Sequence, residues 1–352
     1  MSRADIVVGL SYGDESKGAT VDFLNPDKVV RFNGGPQAAH NVIANGFHHT
    51  FSSLGSGTMQ GAPTYIAGTC AIEPNALLNE MHEMSQFDPE VFIHEEALVT
   101  TSFHILANLV RNEQNNHGTT GWGFGETIDF SLRSPHAAIR AADLNKPKLL
   151  LDKLHLLINF YHHEGIIARR PEYRYLDNLA NFISDQAKQM TIISNDEFLT
   201  ALSDGYIVFE GAQGFMLDEI HGFNPHTTWS DTTPGNARKI INQLGLTDIR
   251  TIGCMRTYAT RHGNGPMPGE FPYMNIPENH NLDDGIQGKF RVGYHDEEQL
   301  GRAISVVKPD ILSVSHYDIF SQIQGAQPNV PIGIKANGPN REDRSFVPDV
   351  TI

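Results

Sequence analysis

Along this chain a short, β-branched, apolar segment repeatedly runs straight into a loop built on glycine. Ile6-Val7-Val8-Gly9-Leu10 leads into the loop 11–18, Lys28-Val29-Val30-Arg31-Phe32 into Asn33-Gly34-Gly35-Pro36, and Tyr206-Ile207-Val208-Phe209-Glu210 into Gly211-Ala212-Gln213-Gly214. Strands that are apolar on both faces belong in a parallel sheet covered on each side. Open sheets of that kind bind ligands beyond the carboxyl ends of their strands. Further strand patterns cover 249–255 and 311–315, and helical patterns cover 76–83, 103–113, 149–163 and 176–187. The stretch 267–288, rich in Pro, Gly, Asn and Asp, reads as a long functional loop. No internal repeat or low-complexity tract interrupts the chain. The expected fold is α/β: one large mixed, mostly parallel sheet flanked by helices, with loop and helical excursions, in a single domain over 1–352.

Composition narrows the partners. A formal net charge of -15 repels nucleic-acid phosphates and anionic lipid, so neither nucleic acid nor membrane is expected as a partner. A local site can still bind a small phosphate. With 39% hydrophobic and 19% charged residues, the composition is that of a globular protein with a large core. Cys70 and Cys254 are too few for a disulfide scaffold and read as buried free thiols. No signal-like leader and no apolar run of membrane-spanning length is visible, which places the protein in the cytoplasm.

The loops carry the chemistry. Gly13-Asp14-Glu15-Ser16-Lys17-Gly18 lets a backbone approach phosphate, with Lys17 to neutralise charge; it lacks the Walker A spacing, and a plain turn competes with the phosphate site. The loop 33–40 adds Asn33, Gln37 and His40; Asp14 and His40 together form a plausible base and acid. Gly118-Thr119-Thr120-Gly121 offers hydroxyls and amides, with a surface turn as the competing reading. Gln213, at a strand's end, is placed to read a base edge. Thr227-Thr228-Trp229-Ser230-Asp231-Thr232-Thr233 suits phosphate binding and also suits a capped helix start.

Taken in order, these blocks resemble the adenylosuccinate synthetase family. They are Gly13-Asp14-Glu15-Ser16-Lys17-Gly18, 34–40, Gly118-Thr119-Thr120-Gly121, Phe209-Glu210-Gly211-Ala212-Gln213-Gly214, 257–266 with Thr260-Arg261-His262-Gly263-Asn264-Gly265-Pro266, and Asn337-Gly338-Pro339. The resemblance spans the chain and implies a fold related to P-loop NTPases. It implies a ligase that joins L-aspartate to C6 of a purine nucleoside monophosphate through a 6-phosphoryl intermediate. Mg²⁺ and ATP, dATP or GTP would be the cofactors and a homodimer the assembly. By the same resemblance, Asp14 is the base and a Mg²⁺ ligand with the Ala39 carbonyl, and His40 stabilises the transferring phosphoryl group. Ser16, Lys17, Gly18, His316, Asp318 and Gly338 belong to the donor nucleotide. Asn33, Gln37, Thr119, Thr120, Gln213 and Thr228 belong to the monophosphate, with Arg133 reaching a neighbouring subunit's site. Lys289 and Arg291 belong to aspartate.

The chain departs from the family's pattern at definite places. Ser16 stands for a glycine, and Pro36-Gln37-Ala38-Ala39 for His-Asn-Ala-Gly. The arginine-rich loop thins to Gly288-Lys289-Phe290-Arg291, and His316 replaces a lysine in His316-Tyr317-Asp318. These changes surround the purine, the ribose and the donor base, and they are similar to the phage branch that uses dGMP to make a 2-aminoadenine precursor. The retained Asp14 argues against that branch, some of whose members replace it. An IMP-using synthetase is the alternative, and a nucleotide-binding protein without ligase activity is the reading from another class. Product mass with aspartate, donor and either IMP or dGMP separates them.

Overall fold

The computed structural model describes residues 2–115, 119–274, 276, 288–348 and 350. Among these residues the main sheet has ten strands. In chain order they are β1 (Arg3–Gly9), β2 (Lys28–Arg31), β3 (Thr64–Ile66), β4 (Val91–His94), β5 (Thr191–Ile193), β6 (Tyr206–Gly214), β7 (Ile249–Arg256), β8 (Ile311–Ser315), β9 (Ile332–Ala336) and β10 (Arg344–Phe346). Across the sheet they run β10-β9-β8-β7-β1-β6-β2-β3-β4-β5. Every neighbouring pair is parallel except β9 with β10. The expected mostly parallel sheet flanked by helices is what forms.

The apolar runs explain the burial. Ile6 and Val8 of β1 enter the larger hydrophobic cluster, while Val7 points to the other face and joins Val21 and Leu24 of helix α1 (Lys17–Leu24). A strand buried on both faces has no polar side to alternate with, hence its unbroken hydrophobicity. Connections then lead away from β1 in opposite directions. The chain passes from β1 out to β2, and much later returns to lay β6 and β7 on β1's two edges. That reversal opens a crevice at the carboxyl ends of the central strands, where such sheets take ligands.

The helical patterns appear as Pro74–Glu83, Ser102–Asn115, Pro147–His163 and Tyr173–Ala187. Sequence reading missed β3, β4, β5, β9 and β10, which are three to five residues long. It also missed α1 and the helices Phe124–Arg133, Asn195–Ala201, Gly235–Leu244 and Glu297–Val307. Of the long loop expected at 267–288, residues 275 and 277–287 lie outside the described residues, as does Gly118 of the hydroxyl loop. Cys70 and Cys254 are buried and free, with burial pushing both thiols up to about 12. Among the described residues no helix is long and apolar enough to cross a membrane.

Candidate active site

A cavity of about 610 Å³ opens at the carboxyl ends of β1, β2, β6 and β7. Asp14, Lys17, Gln37, Ala39, His40, Thr119, Thr120, Arg133, Gln213 and Thr228 all line it. Residues from distant parts of the sequence thus share one wall, as a switch-point site requires.

The first loop turns tightly: Gly13, Asp14 and Ser16 take left-handed backbone at φ 95°, 60° and 59°. Glu15 fills the loop from inside. Its buried carboxylate accepts the Ser11 and Gly13 amides at 2.9 Å each, and the Lys17 ammonium at 2.9 Å. Lys17 therefore meets the cavity already neutralised by Glu15. Asp14 is gripped by Arg256 at the end of β7, whose Nε donates to the Asp14 carbonyl at 2.6 Å and whose Nη2 pairs with Oδ2. Sequence reading did not find Arg256, which lies 242 residues away.

His40 begins a hairpin of His40–Ala44 and Phe47–Phe51. Its Nδ1 lies 2.5 Å from Glu210 Oε1, and Glu210 also accepts the Ser56 amide and hydroxyl at 2.9 and 2.5 Å. Burial opposes ionisation of Glu210, but His40, Arg31 and Ser56 outweigh it and hold the carboxyl at about 2. Burial lowers the His40 pKa, and the Glu210 carboxylate only partly restores it. Neutral His40 therefore donates Nδ1–H to Glu210 and turns Nε2 outward. Gly18 makes room for this ring: a Cβ there would lie 2.6 Å from both His40 Cβ and Ser56 Oγ. Gly18 thus supports the site from behind the wall.

Two amides face the cavity with unmet hydrogen-bonding capacity. Gln37 Oε1 and Nε2 and Gln213 Oε1 are buried without partners among the described residues. They converge over Gly34, where an added Cβ would lie 3.6 Å from Gln37 Nε2 and 3.4 Å from Gln213 Oε1. Buried, unpaired amide atoms cost stability, so a ligand that satisfies them is favoured there. Gln213 holds φ 59° in the bulge that ends the β1–β6 pairing. Asn33 differs: its side chain donates to Ala212 O and accepts from Ala212 N, at 3.1 and 2.8 Å, so it ties β2 to β6 instead of lining the cavity.

Thr119 Oγ1 donates to Asn108 at 2.8 Å and accepts from the Gly121 amide at 3.1 Å, which poises the hydroxyl loop beside Thr120. The threonine-rich run divides. Thr227, Thr228 and Trp229 line the cavity, whereas Thr232 bonds Asp218 and Thr233 accepts the Gly235 amide at the start of a helix. The run is thus divided between the cavity wall and a helix start. Arg133 lies at the cavity edge, paired with Glu164 at 2.6 Å and Asp129 at 3.3 Å of its own chain.

Of the residues expected around the donor and aspartate, Lys17 lines the cavity and the others lie outside its wall. Ser16 Oγ bonds Ser315 Oγ at 3.2 Å, which in turn lies 2.9 Å from His316 Nδ1. Burial, with Arg256 and Arg344 nearby, pushes His316 down to about 3, so it is neutral. Asp318 is exposed, and Gly338 follows β9 against Asp343. Lys289 is exposed, and Arg291 pairs with Glu270 while donating to the carbonyls of Gly263 and Gly265. None of these six residues lines the cavity.

Comparison with known proteins agrees with this architecture. The family model described as Adenylosuccinate synthetase matches residues 6–345. The chain is 32% identical to the adenylosuccinate synthetase of Blochmanniella floridana over 75% of its own length and 65% of that protein's. It is 28% identical to the enzyme of Buchnera aphidicola subsp. Schizaphis graminum, over 92% of this chain and 79% of that one. Among solved structures it resembles a fully ligated adenylosuccinate synthetase from Plasmodium falciparum, with a TM-score of 0.82 and 18% identity over 97% of this chain and 99% of that one. It also resembles the succinoaminodeoxyadenylate synthetase of cyanophage S-2L bound to dGMP and dATP, with a TM-score of 0.72 and 17% identity over 99% and 96%. At such identities these two likenesses speak for the fold alone.

Proposed function

Because the chain belongs to the adenylosuccinate synthetase family, we propose that it joins L-aspartate to C6 of a purine nucleoside monophosphate, and that dGMP is that monophosphate. Gln37 and Gln213 carry the second half of this reading. Together they present two acceptors and one donor without partners. With N1–H left to Asp14, a guanine edge still offers the complement: the two N–H donors of its 2-amino group and the O6 acceptor. Hypoxanthine lacks the 2-amino group and leaves the acceptors unmet, at a cost of about 1–3 kcal/mol each. Neither Lys289 nor Arg291 lines the cavity, which leaves a ribose 2′-hydroxyl without that partner and supports a deoxyribose. The likeness in fold to the cyanophage protein described as bound to dGMP and dATP supports this reading.

The reaction follows from the wall. Asp14 takes the proton from purine N1, and O6 attacks the γ-phosphorus of the triphosphate, releasing the diphosphate. Nδ1–H of His40 is held by Glu210, so Nε2 faces the transferring group. The negative charge of a triphosphate raises the imidazole's proton affinity against the burial that lowers it. The amine of aspartate then attacks C6 and expels the phosphate. Phosphoryl transfer needs positioning and charge neutralisation more than covalent chemistry. Asp14, a cavity-lining carboxylate, and the Ala39 carbonyl are hard oxygen donors that would hold Mg²⁺. Bound there, Mg²⁺ would neutralise charge on the donor phosphates.

The second reading, an IMP-using adenylosuccinate synthetase, is favoured by the relatives that are 32% identical and carry that name. Values of kcat/KM for dGMP, GMP, IMP and dIMP decide. The dGMP reading expects dGMP to lead and Gln37→Asn to narrow its lead; an IMP lead overturns it.

A further inference from the structure

The cations that line the cavity are not equivalent. Lys17 is paired with Glu15, Arg111 with Glu126 and Glu164, and Arg133 with Glu164 and Asp129. Arg261 also lines the cavity, is only 2% exposed, and has no carboxylate partner among the described residues. Its guanidinium lies 4.6 Å over the Tyr12 ring and donates to the carbonyls of Asn264, Pro266 and His226 at 3.2, 2.6 and 3.4 Å. Those three contacts are neutral and use three of the five N–H donors an arginine carries. A buried charge is normally paired, so an unpaired one facing a cavity is the counterpart of an anionic ligand.

From this we infer that Arg261 binds a carboxylate of the amino-acid substrate. The inference rests on the ligase reading above and deepens it. A monophosphate has its own anchors in Thr119, Thr120 and Thr228. Arg261 instead stacks on Tyr12, two residues before Asp14, on the part of the wall where C6 must react. The attacking amine has to reach that carbon, so the carboxylates attached to it come within reach of the same wall. The segment expected to supply this charge, with Lys289 and Arg291, does not line the cavity. A planar guanidinium held flat by an aromatic ring and by carbonyl acceptors is preorganised for a carboxylate fork.

The test compares wild type, Arg261→Met and Arg261→Lys. Kinetics with aspartate and with asparagine, which has one carboxylate fewer, are set beside calorimetric binding of dGMP and IMP. Loss of a charge-assisted bond predicts a rise in KM for aspartate of about 10- to 100-fold in Arg261→Met, with a smaller change in kcat. Preference for aspartate over asparagine should shrink, Arg261→Lys should recover part of both, and monophosphate affinity should hold within about threefold. A residue that only braces the loop would instead lower the melting temperature and monophosphate affinity while leaving the amino-acid preference intact, and that result overturns the inference. Should Arg261→Met not fold, an unchanged KM for aspartate in Arg261→Lys overturns it equally. Wild-type protein that ligates aspartate to neither monophosphate overturns the ligase reading itself, a failure visible before any variant is made.

Discussion

Asp14 keeps a left-handed backbone that a non-glycine residue adopts at a cost, and Arg256 meets that cost by gripping both its carbonyl and its carboxylate. Asp14→Asn preserves volume but removes the proposed base, so kcat should fall by about 10²–10⁴-fold. Calorimetry should find monophosphate affinity changed little, and a loss below about tenfold would reject Asp14 as the base. The residues proposed for the donor nucleotide make a second prediction. His316 is neutral where the family's pattern has a lysine, so donor choice should be loose or shifted towards ATP and dATP; turnover with GTP alone would show the exposed Asp318 to dominate. Asp14, Gln37 and His40 stand out in sequence because they lie in the glycine loops after β1 and β2, and Gln213 because it lies at the carboxyl end of β6. Glu210 is separated from His40 by 170 residues and Arg256 from Asp14 by 242, so no local pattern could join them. Asn33 misled for a related reason: it sits at the right strand end, but its amide is spent on the neighbouring strand.

Elements place these side chains only where glycines permit. Gly18 lies in α1 with His40 pressed against it, so Gly18→Ala should push the imidazole aside and lower kcat while dGMP binding persists; unchanged turnover would show that the hairpin yields freely. Gly123 is stricter, since it has φ 71° and an added Cβ would stand 2.7 Å from the Ile105 amide nitrogen. Gly123→Ala should destabilise the fold by about 1–3 kcal/mol, read as a lower denaturation midpoint in urea. The long amphipathic helices and the central strands could be read from their periodicity. β3 and β5 could not, because three residues establish no period, and their neighbours across the sheet make them strands. Helix α1 was hidden because it starts inside the glycine loop, after a left-handed Ser16 that marks a turn.

At the scale of the whole molecule, two measurements apply. His104 is buried and held down to about 3 by that burial, so the folded protein refuses a proton that the unfolded chain accepts below its ordinary 6.5. Stability is then full above 6.5 and falls as pH drops towards 3, by up to about 1.4 kcal/mol per pH unit for this one group. Urea midpoints at pH 7.5 and 5 should show the fall, and His104→Asn should reduce it. Sedimentation should find a homodimer, and mixing Arg133→Ala with Asp14→Asn protein should restore activity if Arg133 acts across it; no recovery after proven subunit exchange would confine Arg133 to its own chain, where it meets Glu164 and Asp129. The order of the sheet also bears on synthesis. β1 leaves the ribosome first among the ten strands, but both of its neighbours, Tyr206–Gly214 and Ile249–Arg256, are translated much later. At ordinary elongation rates this buried central strand waits on the order of ten seconds or more with both edges unpaired. The nascent protein thus carries an aggregation-prone edge for most of its translation, and an early claim on chaperones is built into the same strand order that makes the crevice.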